Sequence, residues 1–326
     1  SVSNNLGYVY GLRKEFDVAK ALCQEAVSRW KEIQDYVEIS RAETTMGILA
    51  RDQGDNEASC RLLTTAIDRM KEPAYAEELC RAYFHLGWSQ WYLAELDPGD
   101  ESDIRDVTWD IKKLRLSLVA FEKSKDIATN YGFTAELPGI LHQTASIIWH
   151  IGHTTKSKKL QLNARTLNQD AINISYEVND TRYAIDAILG DAEWDYEIRQ
   201  FNHINKYAKL LYRDFGNVQG KYKLYFGRLK RIQGDIALSK NNHKEAFKKY
   251  SEAFTLINEQ QGFGRYSIQR ELRRLRGKLL VLVPADAIKW INYLKKQLEK
   301  AERKHLLINC FDKQLDYANL IMKTRF

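Results

Sequence analysis

One spacing constrains this chain more than any other. A glycine is followed by a small residue twelve positions on, and by another after seven more. It occurs at Gly7-Ala19-Ala26, Gly47-Ser59-Ala66, Gly152-Ala164-Ala171 and Gly234-Ala246-Ala253. Small residues are what two antiparallel helices need where their axes come close. Positions seven apart lie on one helix face. The glycine therefore belongs to one helix and the small pair to the next. The pattern predicts a stack of helical hairpins in which each unit buries its apolar face only against its neighbours. Such a chain acts by presenting a surface.

Six hairpins follow from this register, and the turn residues fit it. They fall at residues 2–13 with 16–33, 37–53 with 56–71, 74–95 with 107–130, 138–153 with 156–178, 181–199 with 203–215, and 219–240 with 244–260. Leu6, Tyr10, Phe16, Ala19, Leu22 and Ala26 recur at helical spacing in the first. Gly54 suits a left-handed helix end, Asp55 an N-cap, and Asn241-Asn242 a turn. Two hairpins depart from the pattern. In the third, an acidic loop at 97–106 delays the second helix. In the fifth, Gly190 is kept but Asn202 and Lys209 hold the small positions. The repeat array is thus expected over 1–263. Beyond it, 264–326 reads as a divergent basic helical cap, with Pro284 at a helix start.

With only 4 prolines and 17 glycines in 326 residues, the chain has few helix breakers. Cys23, Cys60, Cys80 and Cys310 are scattered without a Cys-x-x-Cys pair, which predicts free core thiols in a cytoplasmic protein. No apolar run reaches membrane-spanning length, so no membrane partner is expected. The opening Ser-Val-Ser-Asn enters a repeat at once, as a piece cut from a longer chain would. The net charge of +7 conceals a gradient. Residues 1–105 hold 12 Lys/Arg against 19 Asp/Glu, and residues 228–326 hold 22 against 10.

The elements Leu6-Gly7-x-x-Tyr10 … Ala19 … Ala26, Leu86-Gly87 and Gly234-Asp235-Ile236-Ala237 … Ala246 … Tyr250 … Ala253 resemble the tetratricopeptide repeat over roughly residues 3–260. The period differs: Gly7, Gly47 and Gly87 are 40 apart, where that repeat has 34. Long-period arrays of this kind, with stretches like Trp30-Lys31-Glu32-Ile33-Gln34-Asp35, are similar to the C-terminal sensor arms of STAND-class signalling ATPases. The resemblance implies an all-α, right-handed superhelical solenoid of six to seven hairpins with a C-terminal helical cap. It also implies an ATPase domain upstream and an arm that recognises a protein, a peptide or a small inducer.

The same resemblance places first-helix positions −6, −3, +1, +4 and +5 from each glycine in a concave groove. These are Arg81, Phe84, Trp88, Trp91 and Tyr92 in the third hairpin. The fourth gives Trp149, His153 and Lys156, and the fifth Asp191, Trp194 and Asp195. The sixth gives Arg228, Arg231 and Asp235. The first two offer Asn4, Tyr8, Arg41, Thr44, Arg51 and Asp52. Trp, Tyr and Arg dominate binding hot spots, but an aromatic stripe can equally be interior packing. A basic face of Arg265, Arg270, Arg273 and Arg274 follows Gly264. Phosphate attracts such faces. No DNA-binding motif accompanies it, so a solvated or docking face is the reading preferred over nucleic acid.

Catalytic chemistry finds no constellation. No phosphate-binding GxxxxGK[ST] loop, Gly-x-Ser-x-Gly elbow or His-Glu-x-x-His motif occurs. His150 and His153 share a face but lack the two further ligands of a zinc site. The expectation is a non-catalytic sensor domain without cofactor or metal. A free-standing adaptor that scaffolds protein complexes is the alternative, and a nucleic-acid-contacting solenoid is the third reading.

Overall fold

The computed structural model describes residues 2–13, 15–70, 74–95 and 108–260, with residues 268, 270–272, 274, 275 and 278. These residues are helical throughout, and no strand occurs among them beyond an isolated bridge between Glu95 and Trp109. The first hairpins are α1 (Val2–Leu12) with α2 (Phe16–Glu32), α3 (Tyr36–Gln53) with α4 (Asn56–Arg69), and α5 (Ala76–Ala94) with α6 (Ile111–Tyr131). Next come α7 (Leu137–Thr154) with α8 (Lys158–Glu177), α9 (Thr181–Glu197) with α10 (Phe201–Phe215), and α11 (Lys223–Ser239) with α12 (His243–Asn258). The expected boundaries hold within a few residues, save at α6 and α11, which start four later. A short 3-10 turn, Gly216–Val218, precedes α11.

From α1 to α10 each helix packs on the next in chain order, and α11 packs on α12. First helices also meet across hairpins: α1 with α3, α3 with α5, α7 with α9, and α9 with α11. The spacing of small residues does what the sequence requires. A Cβ at Gly7 would fall 2.5 Å from Cys23 Sγ and 3.0 Å from the Ala19 carbonyl. A Cβ at Gly152 would fall 2.8 Å from Leu160 Cβ and 3.0 Å from the Gln161 amide nitrogen. Their small partners Ala19, Ala164 and Ala171 are fully buried. Gly190, in the hairpin that lacks the small pair, instead faces His142 of the preceding hairpin.

One connector recurs in the turns α2–α3, α3–α4, α7–α8, α8–α9, α9–α10 and α11–α12. A left-handed residue closes the first helix, and the residue after it caps the next. The pairs are Gln34-Asp35, Gly54-Asp55, Lys156-Ser157, Asn179-Asp180, Arg199-Gln200 and Asn241-Asn242. In each, the capping residue's amide reaches five residues back, as Ser157 does to the Gly152 carbonyl. Asp35, Asp55, Ser157, Asp180 and Asn242 also accept bonds from the first amides of their helices.

The largest apolar cluster lies across α8–α11, around Ile188, Leu189, Tyr196, Leu211 and Phe226. Described residues 268, 272 and 275 of the last helical stretch pack on α11 and α12. No described helix is long and apolar enough to cross a membrane. Cys23, Cys60 and Cys80 are unbridged, and Cys60 is only half-buried, not a core residue. Cys310, Pro284, the acidic loop 97–106 and most of the 264–326 cap lie outside the described residues.

Candidate functional site

The first helices of the middle hairpins converge on a half-enclosed cavity of about 100 Å³. Helix α5 contributes Trp88, Trp91 and Tyr92, whose spacing of three and four puts them on one face. Trp88 lies 4.9 Å from Trp91 and 5.4 Å from Tyr92, centroid to centroid. Trp109, brought back by the bridge to Glu95, covers Trp91 at 6.2 Å and His150 at 4.4 Å. Helix α7 adds His142, Gln143, Ser146 and His150 along one stripe. Helix α9 adds a polar stripe, Arg182, Asp186, Glu193 and Glu197, and α11 adds Tyr225 and Arg228. Arg270, Glu271 and Arg274 close the far side.

The cavity has an aromatic half and an ionic half. Buried ions are tolerated only when paired and hydrogen-bonded, and here they form a chain. Arg228 donates to Asp186 at 2.9 Å and to Glu193 at 2.7 Å. Arg231 donates to Glu193 and to Glu271, both at 3.0 Å, and lies 3.4 Å from Asp235. Asp235 also accepts from the Tyr250 hydroxyl at 2.6 Å. Arg274 reaches Glu271 at 3.0 Å and Glu95 at 3.4 Å, and Arg270 meets Glu95 at 2.7 Å. The last helical stretch is thereby tied to the end of α5 across 175 residues. Burial pushes the Glu271 carboxyl up, but Arg231, Arg274, Arg228 and Arg270 together hold it down at about 2.

Two histidines here, His150 and His85, are held neutral. Burial, aided by Arg270 and Arg274, lowers His150 to about 3. On α5, burial and then Arg51 lower His85 well below its ordinary range, and Arg51 sits 3.0 Å from its Nδ1. His142 Nδ1 bonds Asn168 Oδ1 at 2.7 Å, and the Asn168 amide donates to the Ala187 carbonyl. No cluster of three His, Cys, Asp or Glu side chains suited to a metal occurs among the described residues.

Three lining side chains carry polar atoms without a hydrogen-bond partner among the described residues. They are Gln143 Oε1, Trp91 Nε1 and Arg274 Nε. Each such atom costs about 1–3 kcal/mol when left bare.

The expected groove residues divide. Trp88, Trp91, Tyr92, Trp194 and Arg228 line the cavity. Trp149 is 1% exposed and stacks on Trp194 at 4.9 Å, with the Arg165 guanidinium 4.9 Å above its other face. It is packing, not wall. Arg231, expected in the groove, is 0% exposed and acts as an ionic hub. Phe84 packs edge-on against Phe121, and His153 stands half-exposed beside Trp149. Arg81 sits over Tyr8 in a separate polar cleft of about 290 Å³ with Asn4, Arg41 and Thr44. Arg270 and Arg274 are neither solvated nor a docking face. They are turned inward on Glu95, which repays their burial. Arg265 and Arg273 lie outside the described residues.

Gln143, His142, Arg182, Asp186, Glu193 and Glu197 were missed because the expected register was rotated, and Trp109 because it precedes α6 and belongs to no first helix. The cavity uses positions −10, −9 and −6 from Gly152 on α7 (His142, Gln143, Ser146). It uses the same three from Gly234 on α11 (Leu224, Tyr225, Arg228). Only −6 belonged to the expected set. On α9 the signal was present: Arg182, Asp186, Gly190, Glu193 and Glu197 run at spacings of three and four, a charged stripe opposite an apolar one. No protein-family model matches the chain, and no curated protein matches it either.

Proposed function

We propose that the chain is a non-catalytic recognition module. In this reading it is a right-handed superhelix of six to seven long tetratricopeptide-like hairpins with a helical cap, working in the cytoplasm. The central cavity is its recognition site. The observation that carries this is the convergence of four first helices on one cavity whose carboxylates Asp186, Glu193 and Glu271 are tied to arginine. A catalytic site needs a group free to exchange a proton or attack. Here Asp186, Glu193 and Glu271 are each tied to arginine, and His150 is held neutral. What remains is a shaped, aromatic, partly polar surface, as binding clefts offer. The narrower reading, the sensor arm of a STAND-class ATPase, rests on the sequence resemblance alone.

The test is a thermal-shift screen of the 326-residue chain against small metabolites and peptides, repeated on Trp88→Ala. Trp88 lines the cavity and is only half-buried, so its loss spares the fully buried core. Hits that vanish in Trp88→Ala support the module. Hits that survive it, or that are chemically converted, contradict it.

A further inference from the structure

We infer that Arg165 is a pH-operated switch behind the wall of the central cavity. It holds Asp195 while Asp191 keeps its proton, and turns to Asp191 when that proton leaves. The inference concerns the protein without a ligand and does not rest on the recognition reading.

The geometry comes first. Asp191 and Asp195 lie four apart on α9, on one face. Arg165 of α8 sits between them. One end of its fork, Nη2, is 2.5 Å from Asp195 Oδ1, and the other, Nη1, is 3.9 Å from Asp191 Oδ1. That Asp191 oxygen is buried and has no hydrogen-bond partner among the described residues. An ionised carboxylate left in this way is costly. The arrangement therefore suits a protonated Asp191. Burial raises the Asp191 carboxyl to about 6, with the Arg165 charge opposing, so the proton leaves as pH rises through that value.

The guanidinium is free to turn. Asp195 is not stranded when it does, because His203 Nδ1 at the start of α10 lies 3.0 Å from its other oxygen. Arg165 keeps 29% of its side chain exposed, which leaves its stem room. A charged Asp191 draws the fork in from 3.9 Å to about 2.8 Å, the usual length of such a bond.

The groups facing Asp191 are Arg165 and Asn168 of α8, Asp195 of its own helix and Tyr207 of α10. Tyr207 is pushed up to about 12, by burial and then by the two aspartates, and stays neutral. The charges of the other packed helices engage other carboxylates of α9. Helix α7 presents His142 to Asp186 and His153 to Glu197, and α11 presents Arg228 to Asp186 and Arg231 to Glu193.

The fold supplies its own reporter. The Arg165 guanidinium lies 4.9 Å from the Trp149 ring centroid, Trp149 stacks on Trp194 at 4.9 Å, and Trp194 lines the cavity. A cation moving over an indole face changes the field on that ring. The turn thus reaches the back of the cavity wall and shows in tryptophan emission.

Emission of the whole chain, followed between about pH 4 and 8, is the test. The expected result is a step with its midpoint near pH 6. Asp191→Asn has no proton to lose and should abolish the step. Arg165→Gln keeps the aspartate but removes the moving cation, and should abolish it too. His153→Gln should retain it, since His153 beside Trp149 is the rival source. Should Asp191→Asn fail to fold, Asp191→Ala removes the same proton and must give the same loss. Absence of a step near pH 6, a step that survives in a folded Asp191 or Arg165 variant, or a step abolished by His153→Gln overturns the switch.

Discussion

Helices α1 and α9 hold the same place in their hairpins, yet little else about them agrees. Helix α1 buries only Asn4 and Gly7, and leaves Val2, Leu6, Val9 and Leu12 exposed. Helix α9 buries every residue from Ala184 through Tyr196, including Asp186, Asp191, Glu193 and Asp195. Where the motif holds, it supplies one sealed seam, the glycine against the following helix. Neighbours supply everything else. At α1 there is α2 and part of α3. At α9 there are α7, α8, α10, α11 and, through Glu193 and Arg231, the stretch around Glu271. A position in the middle of a stack must therefore satisfy its polar groups internally, whereas one at the end can leave them to water. The middle gains specificity and takes on electrostatic risk.

The sharpest way to break the comparison is to remove the hub. Arg231→Ala leaves Glu193, Asp235 and Glu271 short of their shared cation, and stripping one partner from a buried network costs about 3–5 kcal/mol. Arg29→Ala removes a solvent-exposed partner of Glu25 in the first hairpin and should change stability by less than about 0.5 kcal/mol. Urea denaturation of both variants checks this. Equal losses would mean that the buried chain of ions is no more coupled than a surface pair.

Acidity sharpens it next. Burial raises Asp191 to about 6, against the opposing pull of Arg165, and its Oδ1 has no hydrogen-bond partner among the described residues. The unfolded chain releases this proton near pH 4. Between pH 4 and 6 the native state binds more protons, so the group's contribution falls as pH rises through that window and stays low above it. Asp191→Asn should gain up to about 2–3 kcal/mol at pH 7.5 and nothing near pH 4. Melting curves at the two pH values decide it, and a gain that is the same at both would remove Asp191 as the cause.

The seams were legible in the sequence and the interior was not, for a physical reason. A seam is local: Gly152 and Ala164 are close along the chain, and only small residues fit there. Hence hairpin order, turn residues such as Gly54-Asp55, and most helix limits could be read directly. The cavity depends on how far each first helix is rotated about its axis, and that is fixed by contacts between hairpins. Trp88 and Trp91 fell on the right face, while Trp149 turned into the Trp194 stack. Arg270 and Arg274 looked like a solvent-facing basic stretch because their partner, Glu95, is 175 residues away or more. No periodicity within one helix reports such a pair.

The seam itself yields the third test. Gly152→Leu places side-chain atoms against Leu160 Cβ and the Gln161 backbone, which cannot move without displacing α8. Overpacking of this kind costs about 1–3 kcal/mol. At Gly220, where an added Cβ meets nothing within 4 Å, the change to Ala should be almost silent. A Gly152→Leu variant that melts with the parent would mean α7 and α8 do not meet at this glycine.

The smallest effect expected lies in the connectors, which the exposed and buried parts of the stack share. Arg199, between α9 and α10, sits at φ 62°, and Gln34, between α2 and α3, at φ 56°. Both close a helix in the left-handed region, where a Cβ is opposed by the neighbouring carbonyl at about 1–2 kcal/mol. Glycine removes that cost but adds about 0.5–1 kcal/mol of backbone entropy to the unfolded chain. The two nearly offset, so Arg199→Gly and Gln34→Gly should each gain no more than about 1 kcal/mol. The connector is the same object in both places: the Arg199 amide bonds the Tyr196 carbonyl at 3.0 Å, and that of Gln34 bonds Lys31 at 3.2 Å. If turns are set locally, as this geometry requires, the gains will match although one flanks the most buried helix and the other the thinly packed first hairpin. Melting both glycine variants beside the parent measures it. A gain at Arg199 with a loss at Gln34, or the reverse, would show that burial around the helix, not the turn, fixes the left-handed residue.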